Sequence, residues 1–246
     1  MHTDSFKVYY GGKSYSDKWE KIQQNSKLKA QNRVIINIDG ISNIGKTTII
    51  GELLKLDEYN FKKILSLSKD KQKEISKYSD KQIQSDIVWE HRIQNLKNIN
   101  EDTLLKFKNI LIDRSLLSTM TYQNNSIEYV DFILNKNKKN IVAPNIFVLL
   151  YTDDVSLLKD RIIMRDGKNI KGLDKIENPN NLNTITEYLQ TLEEFNTMFL
   201  KSFNQIQKLD FFKHTKFLKF NTTILSKKEI LSMIIETLQT FKTTDK

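Results

Sequence analysis

Residues 40–47 read Gly40-Ile41-Ser42-Asn43-Ile44-Gly45-Lys46-Thr47, a complete G-x-x-x-x-G-K-[ST] pattern. A β-branched apolar run over 33–39 precedes it, and a helical pattern over 45–56 follows it. In that setting backbone N–H groups wrap phosphate oxygens, and the helix N-terminus adds a partial positive charge. Glycine at 40 and 45 permits the tight loop and its close approach to the ligand. Gly40, Ile41, Ser42, Asn43, Ile44, Gly45, Lys46, Thr47 and Thr48 are therefore expected to bind the phosphates of ATP. Lys46 is expected to reach the β- and γ-phosphates, and Thr47 to hold Mg²⁺.

A second acid ends a second apolar run, Asn109-Ile110-Leu111-Ile112-Asp113, with Arg114 and Ser115 next. An acid there can order magnesium-bound water or act on an acceptor. The guanidinium beside it matches a phosphate. Arg114, Ser118 and Tyr122 are spaced by four, which predicts one helical face lining a pocket for the acceptor, with Gln123 beside it. Arg161 and Arg165 also lie four apart, at the edge of a glycine-containing loop over 166–180. On closure they would supply positive charge at the moving phosphoryl group and help exclude water. Asp39 ends the strand before the loop, where it could assist the metal or act as a general base. A GTPase is not expected: no glycine has Asp three positions before it, and no N-K-x-D stretch occurs. Asp153 and Asp154 follow a strand with Thr152 between, which reads as a helix cap.

These residues need a frame, and apolar spacing supplies one. Strands are expected over 33–39, 61–67, 109–113, 145–151 and 216–220. Helices are expected over 45–56, 70–98, 115–135, 154–165, 183–209 and 226–241, the last capped by Ser226. Alternating strands and helices predict an α/β domain with a central parallel sheet of five strands, three layers deep. Residues 1–32 read as an N-terminal extension and 33–246 as the domain that carries the phosphate-binding loop, with a lid around 161–180.

At 246 residues, 39% hydrophobic and 28% charged, the chain can bury a sizeable core. It has no cysteine and three histidines at no ligand-pair spacing, which argues against thiol chemistry and zinc sites. No signal peptide or membrane-length apolar run is read, so a cytoplasmic location is expected. The net charge of +9 suits anionic partners, but the lysines are dispersed, so nucleic acid is not the expected one.

The stretch D-R-x-x-x-S-x-x-x-Y-Q (Asp113 to Gln123), behind a loop opened by Ile38-Asp39-Gly40, resembles thymidylate kinases. Trp89-Glu90-His91-Arg92, Ala143-Pro144-Asn145, Arg161 with Arg165, and Asp174 to Glu177 with Tyr188 are similar to further parts of that family. The resemblance spans about residues 33–240. It implies a P-loop NTPase fold with strand order 2-3-1-4-5 and ATP- and Mg²⁺-dependent conversion of dTMP to dTDP. It implies that Arg92 contacts the acceptor base and that a homodimer forms through helices flanking the second and third strands. Two stretches depart from the family. Leu65-Ser66-Leu67-Ser68-Lys69 stands where an Arg-Glu-Pro-Gly-Gly stretch is usual, and Ser115 replaces an aromatic. The Asp-Arg-Ser form also resembles deoxynucleoside kinases, for which Asp39 would be the base. A nucleic-acid 5′-end kinase or binding protein, and a kinase-like protein without activity, are the other readings.

Overall fold

The computed structural model of the chain describes residues 6–9, 33–65, 67, 69–101, 109–166 and 185–243. Its strands are β1 (Phe6–Tyr9), β2 (Ile35–Asp39), β3 (Phe61–Leu65), β4 (Asn109–Asp113), β5 (Ile146–Tyr151) and β6 (Lys216–Asn221). They form one parallel sheet in the order β1-β6-β5-β2-β4-β3. Strands covered on both faces read as unbroken apolar runs, and every residue of β2 and β5 is buried. Counted from β2, the five expected strands stand in the order 2-3-1-4-5. A sixth was not expected: Phe6–Tyr9, in the segment read as a separate extension, pairs in parallel with β6 at the sheet edge.

The helices among the described residues are α1 (Lys46–Leu54), α2 (Lys69–Ile75), α3 (Lys81–Glu101) and α4 (Leu116–Tyr122). After them come α5 (Ile127–Asn137), α6 (Lys159–Asp166), α7 (Ile185–Ile206) and α8 (Lys227–Thr243). α1 packs with α8, and α4 packs with α3 and α7. No helix among them is long and apolar enough to cross a membrane.

Two expected helices are each two helices. The one over 70–98 breaks after Ile75, because the Asp80 carboxylate caps α3 by accepting from Gln82 N at 2.7 Å and Ile83 N at 3.2 Å. The one over 115–135 breaks at Asn124, whose φ of 50° is left-handed, and restarts with Ser126 accepting from Tyr129 N at 3.3 Å. The helix over 154–165 begins as a 3₁₀ turn, Val155–Leu158, capped by Asp154. At the other end of the chain, Ser226 and Glu229 exchange hydrogen bonds as a capping box.

Register carries the chemistry to one edge. Ile38 pairs with Asp113, Leu65 with Asp113, and Asp39 with Leu149. The carboxyl ends of β2, β3, β4 and β5 therefore finish level, which is where open α/β sheets bind ligands.

Candidate phosphoryl-transfer site

The loop after β2 is built for anions. Gly40 has a φ of 138°, and a Cβ there would stand 2.3 Å from the Leu150 carbonyl oxygen, so only glycine fits against β5. Ile41 and Ile44 are buried and fasten the loop to the core. Gly45, with φ 107°, is the N-cap of α1. No side chain caps that helix, its first turn holds no acid, and an added Cβ on Gly45 would meet nothing within 4 Å. The helix N-terminus thus carries no side-chain cap, as a phosphate cradle requires. Lys46 is buried and folds back over the loop, donating to the carbonyls of Gly40 (2.8 Å) and Ile41 (2.5 Å). Thr47 and Thr48 are exposed on the first turn.

Arg114 links the end of β4 to the loop after β2. It is left-handed, with φ 63°, a conformation that costs a non-glycine residue on the order of 1–3 kcal/mol. Its guanidinium donates through Nη2 to Ser42 Oγ (3.0 Å) and through Nη1 to Tyr122 OH (3.1 Å). Ser42 belongs to the glycine-flanked loop over 40–47, so a cation next to β4 is tied directly to that loop. The Tyr122 ring lies under the Arg114 guanidinium at 5.4 Å and meets Phe195 and Phe199 of α7 edge-on.

Behind Arg114 lies a buried polar lattice. The Asp39 carboxylate is fully buried and accepts five hydrogen bonds: from Gly40 N, Ser115 N, Ser115 Oγ, Ser118 N and Ser118 Oγ. Arg92, 5% exposed, donates from Nε to Thr119 Oγ1 (3.1 Å) and from Nη1 to the Arg114 carbonyl (3.2 Å). Burial pushes the Arg92 pKa down to about 10, Arg114 adding to the effect while Asp39 and Asp113 oppose it. The guanidinium remains a cation at neutral pH. Asp113 is salt-bridged by Lys63 of β3 at 2.7 Å.

One expected arrangement needs correction. Arg114 precedes α4, whose N-cap is Ser115, so Arg114, Ser118 and Tyr122 do not share a helical face. Ser118 is buried and its hydroxyl is held by Asp39, while Tyr122 reaches Arg114 through the left-handed turn. Arg92 lines a crevice of about 20 Å³ with Asn95, Arg114 and Ser115, but its hydrogen bonds go to protein atoms. Gln123 closes α4 and is partly exposed. Arg161 is exposed on α6, and Arg165 stands one turn further along it. Residues 167–184, most of the expected lid, lie outside the described residues, as do Asp174 to Glu177.

Lys63 and Thr119 were missed. A lysine inside a short strand is a weak signal, and its partner is fixed only by the β3–β4 register. Among the described residues no three acids or histidines cluster to hold a metal. Magnesium needs little from a protein, one or two oxygens with water and phosphate supplying the rest. The exposed Thr47 hydroxyl and the strand-end Asp113 fit that sparse pattern.

No protein-family model matches the chain, and no curated protein matches it in sequence. Its fold is similar to that of solved kinases. Deoxyadenosine kinase from M. mycoides, solved with the products dCMP and a flexible dCDP bound, is 21% identical, with a TM-score of 0.53 over 84% of this chain and 100% of that one. Thymidylate kinase from Candida albicans is 17% identical, with a TM-score of 0.58 over 86% of this chain and 93% of that one. The YorR protein from Bacillus subtilis, in complex with phosphorylated GDP, is 20% identical, with a TM-score of 0.52 over 85% and 98%. These likenesses establish the fold, a P-loop α/β architecture shared with nucleoside and nucleotide kinases.

Proposed function

We propose that the protein transfers the γ-phosphoryl group of ATP to a nucleoside monophosphate, with dTMP as acceptor and dTDP as product. The observation that carries this reading is the Arg114 guanidinium bonded to Ser42 of the phosphate loop at 3.0 Å. A guanidinium beside that loop supports this reading, since it can bind a phosphate bidentately where the two phosphates would meet.

The division of labour follows from the residues. The loop amides and Lys46 hold the donor phosphates. Thr47 and, through water, Asp113 would hold Mg²⁺, which when bound neutralises charge on the donor phosphates. Arg114 turns from Ser42 and Tyr122 to the acceptor phosphate. An oxygen of that phosphate forms the new bond to the γ-phosphorus, the bond from the γ-phosphorus to its bridging oxygen breaks, and ADP leaves. The attacking oxygen is already ionised, so no general base is needed. Arg161 and Arg165 neutralise the transferring group when the lid closes. A cytoplasmic enzyme acting on small nucleotides goes with this reading, and a homodimer with the family resemblance.

A deoxynucleoside kinase is the second reading, favoured by the Asp-Arg-Ser stretch and the likeness to deoxyadenosine kinase. It requires a base for the 5′-hydroxyl, and Asp39 is the candidate. Five donors already surround that carboxylate, which argues for the monophosphate. The direct test is Arg114→Ala assayed with Mg·ATP and dTMP. Turnover should fall at least ~100-fold while ATP binding stays near wild type. A variant that phosphorylates dTMP at the wild-type rate removes Arg114 from the acceptor site.

A further inference from the structure

The Arg114–Ser115 peptide unit is gripped at both ends by buried, oppositely charged side chains. Arg92 Nη1 donates to its carbonyl oxygen at 3.2 Å, and Asp39 Oδ2 accepts from its N–H at 3.0 Å. Arg114's own N–H donates to the Ile38 carbonyl at 3.1 Å, in the strand that Asp39 ends. Neither gripping side chain is idle elsewhere in a way that would let it leave. Arg92 Nε is fixed by Thr119 Oγ1, and the rest of the Asp39 carboxylate by Gly40, Ser115 Oγ and Ser118.

We infer that Asp39 and Arg92 form a buried clamp that imposes the left-handed backbone of Arg114, and that both act as positioning residues for the acceptor-binding guanidinium. The inference rests on the proposed role of Arg114. It assigns Asp39 and Arg92 roles other than general base, metal ligand or base contact. The chemistry explains why both charges are present. A left-handed arginine is unfavourable unless its surroundings determine it, and one hydrogen bond at each end of the peptide fixes the plane. With φ positive, the side chain leaves the β4 edge toward Ser42. With φ negative it would continue along the strand and lose that neighbour. Because Asp39 also accepts from Gly40 N, the same carboxylate holds the phosphate loop and the acceptor arginine in register. An arginine at 92 can serve Thr119 and the peptide together because its donors point in several directions from one plane. A lysine has a single nitrogen and cannot span both.

Two measurements on the full-length protein test the clamp. The first is structural and independent of any acceptor: crystal structures of Arg92→Met and Asp39→Asn should show Arg114 leaving the positive-φ region and its guanidinium leaving Ser42. Retention of both features in both variants overturns the clamp. Thr119→Val, which removes only the anchor of Arg92 Nε, serves if either variant fails to fold, with the same displacement expected and the same retention contradicting it. The second is calorimetric binding of dTMP and thymidine. Loss of Arg114 positioning should weaken dTMP by roughly tenfold or more, the weight of a hydrogen bond to a charged group, and leave thymidine and ATP unchanged. A parallel loss for dTMP and thymidine would make Arg92 a base contact instead. If the wild type binds dTMP no better than thymidine, the monophosphate reading fails, and the crystal structures still decide the clamp.

Discussion

In the proposed reaction Lys46 is the residue on which turnover should depend most plainly. It braces the loop through two carbonyls and brings its charge to the cradle. Lys46→Ala should lower turnover at least ~100-fold, because it removes a charge whose interaction strengthens in the transition state. Steady-state rates with saturating ATP check this, and wild-type turnover in a folded variant would contradict it. Gly40→Ala should act differently. Its Cβ would meet backbone rather than a flexible side chain, so the loop must shift and ATP affinity should fall; calorimetric titration measures it. The loop was legible in the sequence because the motif brings its own strand and helix. The Asp39 lattice was not. Arg114 and Ser118 are four apart, and only the left-handed φ at Arg114 reveals that they do not share a helix. Lys63 was illegible for another reason, since its partner Asp113 comes from a neighbouring strand.

Elements place these residues, and two expectations belong at this scale. Arg161 and Arg165 lie on α6, one turn apart in sequence, next to the segment read as a lid. Alanine at both should lower turnover more than ATP affinity, because the loop amides already hold the ground state. Wild-type turnover in the double variant would leave them as surface charges. In β2, Asn37 is fully buried and neither amide atom has a hydrogen-bond partner. Leucine there removes an unsatisfied polar group from the central strand. It should raise stability by roughly 1–3 kcal/mol in urea denaturation, whereas a lower midpoint would mean the amide is satisfied in solution. The strands from β2 to β6 were readable, the most buried of them, β2 and β5, because buried parallel strands are continuous apolar runs. Helix breaks were harder. Asp80 and Ser126 are ordinary cap residues, but apolar spacing runs on across both breaks and masks them.

At the scale of the whole molecule, β1 adds to the sheet at the edge farthest from β3, pairing with β6 alone. Four residues of strand carry no long-range signal, so the sequence read them as part of a separate segment. Deleting residues 1–32 should leave a domain that melts cooperatively, since β2 and the core around it lie downstream. Loss of a cooperative transition would make the segment part of the core. The charge of +9 bears on the choice of partner. A nucleic-acid end kinase would use that charge, whereas the monophosphate reading uses Arg114 beside Ser42. One assay separates them: purified protein with Mg·ATP, its initial rates compared on dTMP, thymidine and a 5′-hydroxyl oligonucleotide. Phosphorylation of dTMP should be far the fastest and yield dTDP and ADP. Faster turnover of thymidine or of the oligonucleotide would contradict the assignment of Arg114 to an acceptor phosphate.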